Sequence, residues 1–335
     1  MHGDLCHPCH SRSVLQSGYV PQSTEGYQVS MEGVLQNMKP AGFIRVAPVG
    51  DPQKNNWSFE IEDGHKLQSI RIGHADDVIT SLTFTTEFRG ALSISSKFGS
   101  SAGAQSVSLV TFDSDEEIVG IKVTFGLKGR DTYLSSLSFI TNKNTHGPFG
   151  GITNSLFSLP WNKGSLVGFY GNASDWIGGI GGIGVYLKVY GEIMRIGTWG
   201  KPLPAFPQTI WSFQLEGNYR LSKITIDHGD TINSLMFNSS DKVDDPNGVS
   251  IIDHVTLDED EEIIGISGMV GTLPTSQTII SSISFTTNKK THGPFGDNVK
   301  GTPFSVSWDA GSFAGVYGLH GRYFDSIGVY LKATN

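Results

Sequence analysis

Several short stretches of the chain carry residue types at spacings that could do chemistry. Cys6-His7-Pro8-Cys9-His10 has the C-x-x-C-H spacing of a haem c attachment sequence. That chemistry needs a fold that buries the haem and an export route, and this segment offers neither. Its local ligands are too few to close a zinc site, so it reads as inert. Gly99-Ser100-Ser101-Ala102-Gly103 fits G-x-S-x-G, which exposes a nucleophile only between a strand and a helix. A strand-like stretch, 106–112, follows instead, so hydrolysis by Ser100 or Ser101 is the least favoured reading. Gly179-Ile180-Gly181-Gly182-Ile183-Gly184 fits G-x-G-x-x-G, but a phosphate site needs that loop to open a helix. Val185-Tyr186-Leu187-Lys188-Val189 follows and reads as a strand. The acidic runs 113–117 and 258–262 lack the alternating ligands and bending glycine of a calcium loop, and read as solvated turns. His146 and His292 stand in matching turns with no Cys or second His beside them, which suits a structural hydrogen bond.

One string keeps a chemical reading. Gly321-Arg322-Tyr323-Phe324-Asp325 precedes the last apolar segment. The glycine lets a loop backbone approach a ligand, and successive N–H groups become outward donors. The carboxylate four residues on accepts two hydroxyl hydrogen bonds at once, and charged acceptors bind more strongly than neutral ones. That set suits vicinal hydroxyls. On spacing alone it is also what a glycine-rich hairpin with an exposed Asp would look like.

The elements that must hold these residues come from an internal repeat. Residues 135–150 read SSLSFITNKNTHGPFG and residues 281–296 read SSISFTTNKKTHGPFG. They differ only at Leu137/Ile283, Ile140/Thr286 and Asn144/Lys290. Trp57-Ser58-Phe59 returns as Trp211-Ser212-Phe213, and Ile183-Gly184-Val185-Tyr186-Leu187-Lys188 as 327–332. A unit of that length is a domain, not a solenoid turn. The chain therefore divides into 1–40, without a counterpart and read as a mobile tail, a first copy at 41–190 and a second at 191–335. The short junction brings the copies close together. Within a copy the apolar period is two: Val119, Ile121, Val123 and Phe125 alternate with Gly120, Lys122 and Thr124. Gly147-Pro148-Phe149-Gly150 punctuates the strands, and no 3.6-residue period is found, so each copy is an all-β domain.

Composition narrows the function. The 42 glycines, about one residue in eight, fit many short strands and tight turns. Two cysteines cannot build a disulfide framework. A net charge of −8 without a Lys/Arg block argues against nucleic acid and acidic lipid as partners. No apolar run is long enough to span a bilayer. Without an apolar leader in 1–16, the expected compartment is the cytoplasm, with the nucleus as the alternative.

The ordered set of motifs resembles the jacalin-related lectins. The carrying features are a glycine-containing loop before an aromatic-start strand, a Gly-Pro-Phe-Gly turn, and G-x-x-x-D before Ile-Gly-Val-Tyr-Leu. They occur in order as Gly200 before Trp211, Gly293 to Gly296, and Gly321 to Asp325, and the resemblance covers 41–335. It implies two tandem β-prism domains, each of three four-stranded sheets, and metal-independent sugar binding at one end of the prism, without cofactor or catalysis. By that resemblance Gly200, Tyr323 and Phe324 supply backbone N–H groups and Asp325 the carboxylate. Gly321 and Arg322 complete the loop, and Tyr323 is placed to cover the sugar face. The first-loop glycines, Gly50 and Gly200, are internal, which is similar to the mannose/glucose-binding branch. The first loop departs from the family's run of glycines by reading Gly200-Lys201-Pro202-Leu203-Pro204. Expected partners are mannose-type glycans and glycoproteins, and a homo-oligomer is compatible with the fold. The alternative is a protein-interaction scaffold made of degenerate lectin domains. Gly50, Gly171 and Asp175 form a candidate second site. Counting back from the shared strand, however, Gly181 falls where Asp325 stands, and three residues are inserted in the first copy's loop, so the copies are expected to be unequal.

Overall fold

The computed structural model describes residues 40–49, 56–100, 103–128, 131–153, 156–174, 179–190, 193–201, 210–216, 219–237, 251–297 and 301–333. Residues 1–39 of the proposed tail lie outside them, whereas Pro40, placed in the tail from the sequence, opens the strand Pro40–Val49 and pairs with Tyr190. Every regular element among the described residues is a strand, and each copy contributes three antiparallel sheets. In the first copy these are built on Pro40–Val49 with Gly179–Tyr190, on Ile118–Lys128 with Asp131–Thr141, and on Lys66–His74 with Ile79–Phe88. The second copy repeats them on Phe324–Lys332 with Ile193–Gly200, on Ile263–Thr272 with Thr278–Thr287, and on Lys223–His228 with Ile232–Phe237. Both copies are β-prisms whose inner faces meet in an apolar core. Phe84, Phe139 and Phe169 are fully buried in the first copy, and Phe285, the counterpart of Phe139, is fully buried in the second. Phe84 stacks on Phe59 at 4.3 Å and on Phe169 at 5.1 Å.

The period-two reading holds in the middle of Ile118–Lys128 and fails at its ends. Ile121 and Val123 are fully buried, with Lys122 outside. Register shifts at Ile118/Gly120 and at Thr124/Phe125 each insert a residue. The first adds Val119 to this strand, so Ile118 is buried and Val119 only half-buried. The second adds Ser135 to the partner strand, where Thr124 is buried against the Ser135 and Ser136 hydroxyls and Phe125 is half-buried against the core. The Gly147–Gly150 punctuation is also not a free turn. It lies in the irregular strand Thr145–Gly150, where Gly147 and Gly150 take positive φ. A Cβ on Gly150 would stand 2.2 Å from the Ser135 carbonyl oxygen, so a bulkier residue cannot sit there.

The copies join edge to edge, twice. Pro40–Val49 pairs with Thr302–Ala310, and Leu156–Asn162 pairs with Ile193–Gly200. Two sheets of each copy thereby continue into the other and form two eight-stranded sheets. Pairing removes edges that would otherwise expose unpaired N–H and C=O groups. The Trp199 indole N–H donates across the junction to the Ser158 carbonyl at 2.8 Å. The two joints are not identical. Arg45 makes a forked ion pair with Asp309, Nε to Oδ1 at 2.5 Å. Its counterpart Arg195 faces Asn162; both guanidiniums lie over tyrosine rings, Arg45 at 5.3 Å from Tyr170 and Arg195 at 5.5 Å from Tyr317 and Tyr330.

The acidic runs are only partly solvated turns. Asp113 and Asp115 are exposed and pair with Lys143, as Asp258 and Asp260 pair with Lys289. Glu116 and Glu261 are buried, at 5% and 2% exposure. Glu261 Oε1 accepts from Thr287 Oγ1 at 2.7 Å and pairs with His292 Nε2 at 3.1 Å, and its Oε2 accepts the Asp258 N–H at 3.2 Å. Glu116 repeats the pattern with Thr141, His146 and Asp113. The two histidines thus hold structural bonds, as their isolation in the sequence suggested. The Thr287 and His292 hydrogen bonds lower the Glu261 carboxyl from the ordinary 4.5 to about 2. Burial raises the Glu116 carboxyl, but the bonds from Thr141 and His146 outweigh it and the net shift is downward. A depressed carboxyl stabilises the fold above its unfolded value, and that contribution disappears as pH falls through the folded value. The melting temperature is therefore expected to drop between pH 4.5 and 2, and less steeply in Glu261→Gln. Thermal melts across that range check it, and equal slopes would remove the role given to Glu261.

Candidate functional site

Three segments of the second copy meet at one pole. They are the end of Ile193–Gly200 with Lys201, the turn between Ile263–Thr272 and Thr278–Thr287, and the turn from Gly321 to Tyr323 before Phe324–Lys332. In the last hairpin Leu319 pairs with Ser326 and His320 with Phe324. Asp325 is the extra residue of a bulge, a device that re-aims a side chain. Phe324 turns into the core at 5% exposure and meets Trp211 edge-on at 4.8 Å. The Gly321 N–H donates to the Tyr323 carbonyl at 3.0 Å and closes the turn. Arg322 is exposed, with its guanidinium 5.6 Å over the half-buried Tyr323 ring.

Asp325 is 7% exposed and held from two sides. Its carbonyl accepts the Lys201 N–H at 2.9 Å. Its Oδ1 accepts Gln277 Nε2 at 2.8 Å, and the Lys201 ammonium stands 4.0 Å from Oδ2. Gly200 has φ +101°, and a Cβ there would lie 2.4 Å from the Asp325 carbonyl oxygen. Only glycine lets the first loop pass this close to Asp325. Gly200, Gly321, Arg322, Tyr323, Phe324 and Asp325 are therefore gathered at one pole around one carboxylate. Gln277 was not anticipated. It lies 48 residues from Asp325, in a polar turn with no motif, and nothing in the spacing signals it.

The equivalent pole of the first copy is built differently. Gly50 and Asp175 lie outside the described residues. Gly171, expected in a loop, lies in strand Gly164–Ser174 between Trp57 and Ile183. The glycine run 179–184 is likewise strand, since Gly179–Tyr190 pairs back to Ser174. Asn172 pairs with Gly182 and Ala173 with Ile180, so the bulged residue is Gly181. It holds the position that Asp325 holds in the second copy. A Cβ on Gly181 would lie 2.6 Å from Asn172 Nδ2. The Asn172 amide fills the space an Asp side chain would need. It is 4% exposed, and its Oδ1 has no hydrogen-bond partner among the described residues.

Cys6 to His10 lie outside the described residues, and the serine motif gains no support. Gly99 ends the short strand Phe98–Gly99, the Ser100 N–H donates to the Thr80 carbonyl at 2.9 Å, and strand Ser106–Thr111 comes next, without the helix an activated serine needs. Among the described residues no three His, Cys, Asp or Glu side chains converge as metal ligands.

Comparison with known proteins agrees with this architecture. The model of the jacalin-like lectin domain matches residues 46–186 and again 196–330. The chain is 32% identical over 308 residues to a mannose/glucose-specific lectin of Parkia platycephala, and 31% identical over 313 residues to one of Parkia pendula. Each alignment covers 87% of this chain but 65% of the Parkia protein. An agglutinin of Castanea crenata is 28% identical, with 87% of this chain and 98% of the agglutinin covered. With its two domain matches spanning most of its length, the chain belongs to the jacalin-like lectin domain family.

Proposed function

We propose that the protein binds mannose/glucose-type glycans without a metal and without catalysis. In this reading the principal site is the second-copy pole: backbone N–H groups of Gly200, Tyr323 and Phe324, the carboxylate of Asp325, and the Tyr323 ring beside the sugar. The observation that carries it is the bulge that sets a nearly buried carboxylate against the backbone of Gly200. The specificities named for the two Parkia lectins support the choice of sugar. The polypeptide itself supplies every donor and acceptor, so no ion is required. A single hexose on a shallow, wet loop is expected to bind with Kd on the order of 1 mM, about −4 kcal/mol. Calorimetric titration with methyl α-mannoside should give the same affinity with and without EDTA. Loss in EDTA restored by calcium would overturn the reading.

A second reading applies to the first copy. Its pole carries Gly181 and a buried Asn172 amide in place of a carboxylate. That favours a supporting role for this domain, as a scaffold whose sheets hold the sugar-binding copy in place.

A further inference from the structure

The Asp325 carboxylate is not presented by its own loop alone. Gln277 reaches it from the turn after Ile263–Thr272, and that turn is closed by its own backbone. The Leu273 N–H donates to the Gln277 carbonyl at 2.9 Å and the Ser276 N–H to the Leu273 carbonyl at 2.8 Å. The side chain that projects from it donates Nε2–H to Asp325 Oδ1 at 2.8 Å.

A carboxylate at 7% exposure must keep donors or it becomes costly to hold charged. It has about four lone-pair sites. Gln277 takes one of them at Oδ1, and the Lys201 ammonium, 4.0 Å from Oδ2, lies beyond hydrogen-bond range. Among the described residues, sites on both oxygens therefore stay open. An amide donor is neutral. It fixes the carboxylate's rotamer without spending its charge, as a second Lys or an Arg at 277 would. The charge then remains available to incoming hydroxyl groups.

We infer that Gln277 is a positioning residue for sugar recognition: its amide holds the Asp325 carboxylate in the orientation that receives two hydroxyls of a hexose. The inference rests on the reading of this pole as the sugar site. Gln277 acts through Asp325, so its removal weakens binding without abolishing it. Its donor chemistry matters more than its bulk.

The test titrates the full chain, Gln277→Ala and Gln277→Glu with methyl α-mannoside at pH 7.5 and pH 5. Gln277→Ala is expected to bind roughly 3- to 10-fold more weakly. Gln277→Glu keeps the shape but sets two carboxylates against each other, and should lose about ten-fold or more at pH 7.5. At pH 5 such a pair shares a proton, the acid O–H donates in place of the amide, and several-fold of the loss should return. The parent protein should change little between the two pH values. Variants as tight as the parent would overturn the inference while leaving the site intact. An equal loss in Gln277→Glu at both pH values would reduce Gln277 to a packing role and overturn it too. No binding by the parent chain would instead bring down the lectin reading, and this inference with it.

Discussion

Replacing Asp325 with Ala is expected to weaken methyl α-mannoside binding ten-fold or more while leaving the fold intact. Hydrogen bonds to a charged acceptor contribute about 1.5–3 kcal/mol each, and this carboxylate is the only charged acceptor proposed for the site. The fold should tolerate the change because the backbone of the bulge is held separately. The Lys201 N–H binds the Asp325 carbonyl, not its side chain, and the strand register from Leu319↔Ser326 onward is independent of it. The side-chain partners Gln277 and Lys201 lie at the pole, where water can replace the lost acceptor. Asp325→Asn separates charge from volume: it fits the same space but exchanges one acceptor for a donor, and should lose most of the affinity as well. Calorimetry reads the affinity and a thermal melt reads the fold. Unchanged affinity in Asp325→Ala would remove this pole as the site.

The second large effect concerns the number of sites. Titration of the intact chain should show one principal hexose site, although the chain holds two domains. Asp325→Ala should remove it, and Asp175→Ala should leave it unchanged. The physical reason is local. In the first copy the bulge position is Gly181, and the buried Asn172 amide occupies the space that a carboxylate side chain would take. An amide brings no charge, so it cannot replace the charge-assisted bonds. Simple replacement of Gly181 by Asp should not create a site, because the new side chain must first displace the buried Asn172 amide. With one site per chain, cross-linking of glycans requires association of chains, and a single chain gains no bivalent enhancement. Two equivalent sites in the titration would show that Asp175 completes the first copy after all.

Much of the architecture was legible in the residues themselves. The near-identical 135–150 and 281–296 segments announce two copies of one domain, because an internal repeat survives in sequence wherever the same strands must form the same core. Alternation around Ile121 and Val123 gives the sheet, since a strand with one buried face must place apolar groups at every second residue. Gly321 to Asp325 stood out because a local turn and a local carboxylate are set by neighbours in the chain. Counting from the shared final strand also put Gly181 opposite Asp325, because hairpin register follows from spacing.

What only the tertiary structure decided depends on contacts between residues distant in sequence. The bulges at Val119 and Ser135 arise from how partner strands are matched, and binary pattern does not record an inserted residue. Glu116 and Glu261 looked like surface charges in acidic runs. Burial becomes tolerable only because a threonine and a histidine some thirty residues later supply donors. The joining of the two copies into continuous sheets depends on edge strands finding each other across the chain, as in Arg45 with Asp309. Gln277 reaches Asp325 for the same reason: the prism folds three separate loops onto one pole, and proximity created by folding leaves no trace in the spacing of a single turn.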